Sequence, residues 1–161
     1  MADIFEWGNS MKRVLSELIL GIGLCLILLA SPAAFAANIM PGSVVQAVNS
    51  IRAAHGLPAL APHSGLQKAA SQQSVLMARA GKMAHTVSRG NSFSSRLKRV
   101  GYRGPAAENI ARGQKNLKSV LRGWMNSRGH RRNILHPKMK YFGLAAVKSG
   151  GRNYWTMALG G

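Results

Sequence analysis

The sequence predicts an α+β domain, layered α/β/α, on three observations. Apolar residues recur at helical spacing in the first half of residues 43–161, and two apolar, partly alternating segments close the chain around a Ser149-Gly150-Gly151 turn. No linker, low-complexity tract or internal repeat divides the stretch between them, so it reads as one domain with helices first and strands mixed with helices later.

Taken in order, Ser43 is placed to cap a helix whose stripe is Val44, Val45, Val48 and Ile51, stopped by Gly56 and Pro58. A second helix is expected over 64–80, with Leu66, Ala69, Ala70, Val75 and Met77 inward and Gly81 as its C-terminal stop. Phe93 to Val100 forms a shorter third, ended by Gly101. Residues 107–111 alternate over a short span and are read as a strand. Asn116 then caps a helix with Leu117, Val120, Leu121, Trp124 and Met125 on one face, and a helical turn covers 129–135 before Pro137. Phe142 to Val147 and Asn153 to Leu159 are the arms of a β-hairpin. Trp124, Trp155, Tyr154 and Phe142 stand at helix and strand spacings that favour core over a ligand platform.

The first 36 residues have the layout of a secretory signal peptide. A basic pair, Lys12 and Arg13, precedes an apolar run from Leu18 to about Ala30, followed by Ser31-Pro32 and the small-x-small triplet Ala34-Phe35-Ala36. Cleavage is expected after Ala36, leaving 37–161 as the domain, secreted to an extracellular or periplasmic space. Asp3 and Glu6 ahead of the basic pair do not suit a signal's start, which points to Met11 as the initiator. The alternative is an uncleaved membrane anchor, since Leu18 to Ala37 approaches the roughly 20 apolar residues that span a bilayer. The only cysteine, Cys25, lies inside this segment, so residues 37–161 have neither a disulfide nor a thiolate nucleophile and must hold together by packing.

Charge is the strongest compositional signal. Of 22 Lys and Arg and 4 Asp and Glu, two cations and three acids precede Ala37; residues 37–161 therefore carry twenty cations against Glu108 alone, a net +19 with neutral histidines. Solubilising surfaces normally intersperse both signs. A one-signed chain implies an anionic neighbour: envelope lipid, cell-wall polymer or nucleic acid. Nucleic acid is the weaker match, because aromatic residues are not interleaved with the cations, so that binding would be non-specific.

Five histidines, His55, His63, His85, His130 and His136, show no local metal-ligand spacing. His85 follows the second helix where a loop begins, and His130 follows Ser127-Arg128-Gly129. Arg128, Arg131 and Arg132 flank His130 and could recruit an anionic ligand. Glu108 admits two compatible readings, a buried anchor among cations or a group in direct chemistry.

Several motifs together resemble the CAP superfamily of cysteine-rich secretory, antigen 5 and pathogenesis-related proteins, in its bacterial secreted branch. They are Asn49-x-x-Arg52-x-x-His55-Gly56-Leu57-Pro58-x-Leu60, Met83-Ala84-His85, Ala107-Glu108-Asn109-Ile110-Ala111-x-Gly113, Gly123-Trp124-x-Asn126-Ser127-x-Gly129-His130-Arg131-x-Asn133-Ile134-Leu135 and Tyr154-Trp155-Thr156. The resemblance implies a three-layer α-β-α sandwich with a central, largely antiparallel sheet. It also implies a cleft with two histidines and two acids. His85, Glu108 and His130 take three of those positions and Ser127 stands where the second acid belongs.

On that resemblance, His85 and His130 would offer a divalent metal such as zinc two imidazole ligands, with waters completing the shell and Glu108 orienting an imidazole or a water. Without metal the same residues could work as an acid–base group, with Ser127 an added hydroxyl. Ser127 lacks the Gly-x-Ser-x-Gly elbow of a typical nucleophile. Three functions follow: a module binding anionic envelope components, lipids or small hydrophobic ligands; a hydrolase, protease or cell-envelope enzyme using His85, Glu108 and His130; or a non-specific nucleic-acid binder. The resemblance favours the first, since CAP-like proteins are mostly associated with binding sterols, lipids or protein partners.

Overall fold

A computed structural model describes residues 41–161. The signal segment, its cleavage after Ala36, the alternative anchor and Cys25 lie outside the described residues. In chain order the elements are α1 (Gly42–Ala53), β1 (Ala61–Pro62), α2 (Ser64–Ala80), α3 (Phe93–Arg99), β2 (Ala106–Arg112), α4 (Leu117–Asn126), α5 (Arg128–Ile134), β3 (Tyr141–Ser149) and β4 (Arg152–Gly160). Among the described residues, no helix is long and apolar enough to cross a membrane.

The sheet order is β1-β3-β4-β2. β3 and β4 form the expected hairpin, with Ser149 opposite Arg152 and both Gly150 and Gly151 at positive φ. β4 also pairs antiparallel with β2, aligning Glu108 with Ala158 and Asn109 with Met157. The two-residue β1 adds to β3 in parallel, so the sheet is mixed; an Ala-Pro pair is too short to leave an alternation in the sequence.

Strand alternation sorts the side chains into two layers. On one face Trp155, Met157 and Leu159 of β4 and Phe142 and Leu144 of β3 meet Val48 of α1, Val120, Leu121 and Trp124 of α4 and Ile134 of α5. On the other, Ala145 and Ala158 meet Leu66, Ala69 and Ala70 of α2 and Leu97 of α3, while Met77, Ala78, Ile110 and Tyr154 continue that layer. Small residues bring α2 close to the sheet: a Cβ on Gly143 would stand 2.2 Å from the Gln67 backbone nitrogen. All four aromatic residues weighed as a platform are core, as their spacing predicted.

Local signals mostly hold. Asn116 forms a capping box with Ser119, and Gly81 closes α2 at φ 60°. Two expectations need correction. α1 starts at Gly42 with Pro41 in the cap position, and its first backbone bond runs from Val44 N to Pro41 O; Ser43 is inside the first turn and does not cap. Val75 is only half-buried, because α2 turns it toward a surface groove of about 420 Å³ that it shares with Leu76, Asn91 and Arg99.

One polar feature replaces the cross-links this domain lacks. Arg52, fully buried on the α1 stripe, donates to Pro58 O at 2.8 Å, Ile134 O at 2.7 Å and His136 O at 3.2 Å. It ties α1 to the turn after α5 through carbonyls alone, and burial pushes its pKa down.

Candidate functional site

β2 is one of the sheet's two edge strands, and its period-two geometry explains the site. Glu108 points to the α2–α3 layer and Asn109, the next residue, to the α5 layer. Each reaches a histidine-bearing segment. Glu108 Oε1 accepts from His85 Nδ1 at 2.8 Å, at the start of the loop after α2. Asn109 Nδ2 donates to His130 O at 3.1 Å, while its Oδ1 accepts from Asn133 Nδ2 at 2.9 Å, so α5 is pinned at two points one turn apart. Two adjacent residues on opposite faces of one strand thus tie the two histidine-bearing segments to the same point of its edge.

The second oxygen of Glu108 accepts from Arg96 Nη2. Arg96 and the Glu108 carboxylate are both interior, at 0% and 3% side-chain exposure, whereas the His85 ring is 57% exposed. Arg96 Nη1 also donates to His85 O at 3.2 Å and to Asn91 O, and the guanidinium lies 5.7 Å from the Phe93 ring centroid. Gln73 of α2 donates to Ala84 O. The loop bearing His85 is therefore anchored from α2, α3 and β2.

Burial lowers the pKa of His130 from its ordinary value, and the nearness of His85 adds to the shift, since a second positive charge there is unfavourable. With Nδ1 donating to a carboxylate, His85 keeps Nε2 for a ligand. Each Glu108 oxygen accepts one of these hydrogen bonds, Oε1 from His85 and Oε2 from Arg96. Among the described residues no group of three or more His, Cys, Asp and Glu is arranged to hold a metal ion. The donors fit at most an open site with two imidazole nitrogens, a different construction from a three-ligand catalytic zinc centre.

Ser127 occupies the junction of α4 and α5, half-buried, and its side chain makes no capping bond to α5. Arg128, Arg131 and Arg132 are exposed on α5. The other histidines have local duties. His63 caps α2 by accepting from Gly65 N and Leu66 N, His55 Nδ1 donates to Ile51 O at 2.8 Å, and His136 Nδ1 accepts from Lys138 N at 3.2 Å.

Two functional partners escaped the sequence reading. Arg96 was legible as an anomaly, a cation on the stripe Phe93, Arg96, Leu97, Val100 that otherwise faces inward. Asn109 was visible only within the motif around Glu108.

A four-stranded sheet with helices on both faces and two histidine-bearing segments tied to one edge makes this domain an α-β-α sandwich. Residues 45–159 match the model of the cysteine-rich secretory protein family, CAP, and the chain belongs to that family. It is 37% identical over 115 residues to the uncharacterized protein YkwD of Bacillus subtilis, a match covering 70% of this chain and 44% of that relative. An extracellular SCP-domain protein of Bacillus anthracis superposes with a TM-score of 0.68 at 27% identity, over 74% of this chain and 39% of that one. An outer surface protein of Borrelia burgdorferi gives 0.66 at 19% identity, over 74% and 90%, a likeness of fold alone. The chain thus spans less than half the length of both Bacillus proteins it matches.

Proposed function

We propose that this protein is an exported, strongly basic CAP-domain binding module that attaches to anionic envelope or lipid surfaces, with His85 and His130 serving a small ligand or a divalent metal ion such as zinc. The observation that carries the reading is the one-signed exterior. Seventeen of the twenty cations in residues 41–161 are exposed, and the sole acidic side chain there is interior and paired with Arg96. No other acidic side chain in that span relieves the outward field, so an anionic surface is the complementary partner. The extracellular description of the Bacillus anthracis protein supports export.

If a metal is held, His85 and His130 would be its protein ligands, and it would supply Lewis-acid polarisation of a bound water or ligand oxygen. Glu108 would fix His85 from behind, and Arg96 would keep Glu108 in place. The hydrolase reading rests on one observation, the His85–Glu108 hydrogen bond. In it His85, not Glu108, would handle the proton, since the Glu108 carboxylate is interior and paired with Arg96 while the His85 ring is largely exposed.

Co-sedimentation with anionic and neutral vesicles tests the main reading. Binding to anionic vesicles should be strong at low salt and fall as salt screens the surface charge, with little binding to neutral vesicles. Equal, negligible binding to both at low salt would overturn it.

A further inference from the structure

We propose that Arg96 is the positioning residue of this site: by holding Glu108 and both ends of the His85–Asn91 loop, it locks His85 as a donor through Nδ1 and so reserves Nε2 for a ligand. The inference rests on the reading of His85 as a ligand-facing residue, but its test needs no ligand. It can fail while that reading stands, and the reverse.

Arg96 serves more acceptors than charge balance requires. A cation needed only to balance Glu108 would need one partner. Arg96 has three in two separate segments: the Glu108 carboxylate on β2, and the His85 and Asn91 carbonyls at the two ends of the loop after α2. A planar guanidinium can aim donors in these fixed directions at once, whereas a lysine ammonium is a point charge on a flexible stem. His85 is consequently held twice by one side chain, directly through its carbonyl and through Glu108 at its ring.

The tautomer follows. With Oε2 occupied by Arg96, Oε1 is fixed opposite His85 Nδ1. A neutral ring protonated at Nε2 would set a lone pair on Nδ1 against a carboxylate oxygen at 2.8 Å, an arrangement of two acceptors with no proton between them. Rotation of the carboxylate away from His85 would relieve that clash, but it would break the buried ion pair with Arg96. Full burial of Arg96 makes the loss of a partner costly, since a buried donor left unpaired carries its full desolvation penalty.

The test is a long-range proton–nitrogen NMR correlation of the imidazoles in the metal-free protein at about pH 8, where ordinary imidazoles are neutral. Wild-type His85 should be entirely in the Nδ1–H form. Arg96→Lys keeps the charge but not the fork, and should shift His85 to a mixture of tautomers while amide signals of β3 and β4 stay in place. A wild-type His85 in the Nε2–H form overturns the proposal, as does an Arg96→Lys protein in which His85 remains wholly Nδ1–H. Should Arg96→Lys fail to fold, the wild-type spectrum still decides through Arg96 itself. Its Nη protons should be individually resolved and protected from exchange, and a freely rotating, averaged guanidinium overturns the proposal.

Discussion

Glu108→Gln is the sharpest perturbation available, because it changes one charge and almost no volume at a place where charge cannot be hydrated. In the variant, Arg96, fully buried, keeps the His85 and Asn91 carbonyls and an amide oxygen but loses its only counter-ion among the described residues. If the oxygen of the introduced amide faces Arg96, its NH2 group meets Nδ1 of His85, and that contact survives only if the ring gives up its Nδ1–H tautomer. Breaking a buried ion pair from one side typically costs about 3–5 kcal/mol. The remaining neutral acceptors favour the lower end, about 3 kcal/mol, which is a large share of the roughly 5–15 kcal/mol that holds a typical domain folded. With a urea slope of about 2 kcal/mol per molar, the unfolding midpoint should fall by about 1.5 M. Fluorescence of the buried Trp124 and Trp155 supplies the readout. Removing both charges with Arg96→Met and Glu108→Gln should cost clearly less than the sum of the single changes, with a coupling of about 1–3 kcal/mol. A Glu108→Gln stability within about 0.5 kcal/mol of wild type, or strict additivity in the cycle, would refute the placement of a desolvated charge pair here.

Two further outcomes are expected. The folded pKa of His130 is lowered, so between that value and the unfolded value of about 6.5 the unfolded chain binds more protons, and stability rises with pH. Its contribution is complete above about pH 6.5 and is lost as pH falls through the folded value; urea midpoints of the metal-free protein from about pH 7.5 to about pH 5 should slope more steeply for wild type than for His130→Asn, and equal slopes would contradict the assignment. Metal analysis and zinc titration of wild type against His85→Ala should show lower occupancy and at least about tenfold weaker binding in the variant, which loses one of two imidazole donors; unchanged stoichiometry and affinity would remove His85 from any metal site.

Most of the fold could be read because its elements are local. A stripe at helical spacing, an Asn116 cap and a glycine turn act over a few residues, and each leaves its trace in consecutive sequence. The site was legible less directly. His85, Glu108 and His130 emerged from their motif positions, but nothing local says that Glu108 and Asn109 divide the two histidines between them. That division depends on β2 being an edge strand, a property fixed by its pairing with the distant β4. The burial of Arg96 and Arg52 was harder to read for a related reason, Arg96 showing only as a cation on an otherwise apolar stripe and Arg52 only as a motif position. In a chain with twenty cations after Ala36, two that turn inward differ from the others only in what they pack against.

The buried pair also alters which variants can report on function. In the sequence Glu108 is the obvious group to remove, being the one acid in residues 37–161. In the fold it is both the orienter of His85 and the counter-ion of a buried arginine, so its loss changes the site and the stability of the layer around it in one step. His85 has no such double duty. Its ring is largely exposed, and its removal leaves Arg96 and Glu108 paired. Its removal takes away one hydrogen bond and leaves no buried charge without its counter-ion. A loss of ligand, metal or activity on His85→Ala therefore reads as a loss of the site itself, whereas the same loss on Glu108→Gln is interpretable only beside its unfolding midpoint.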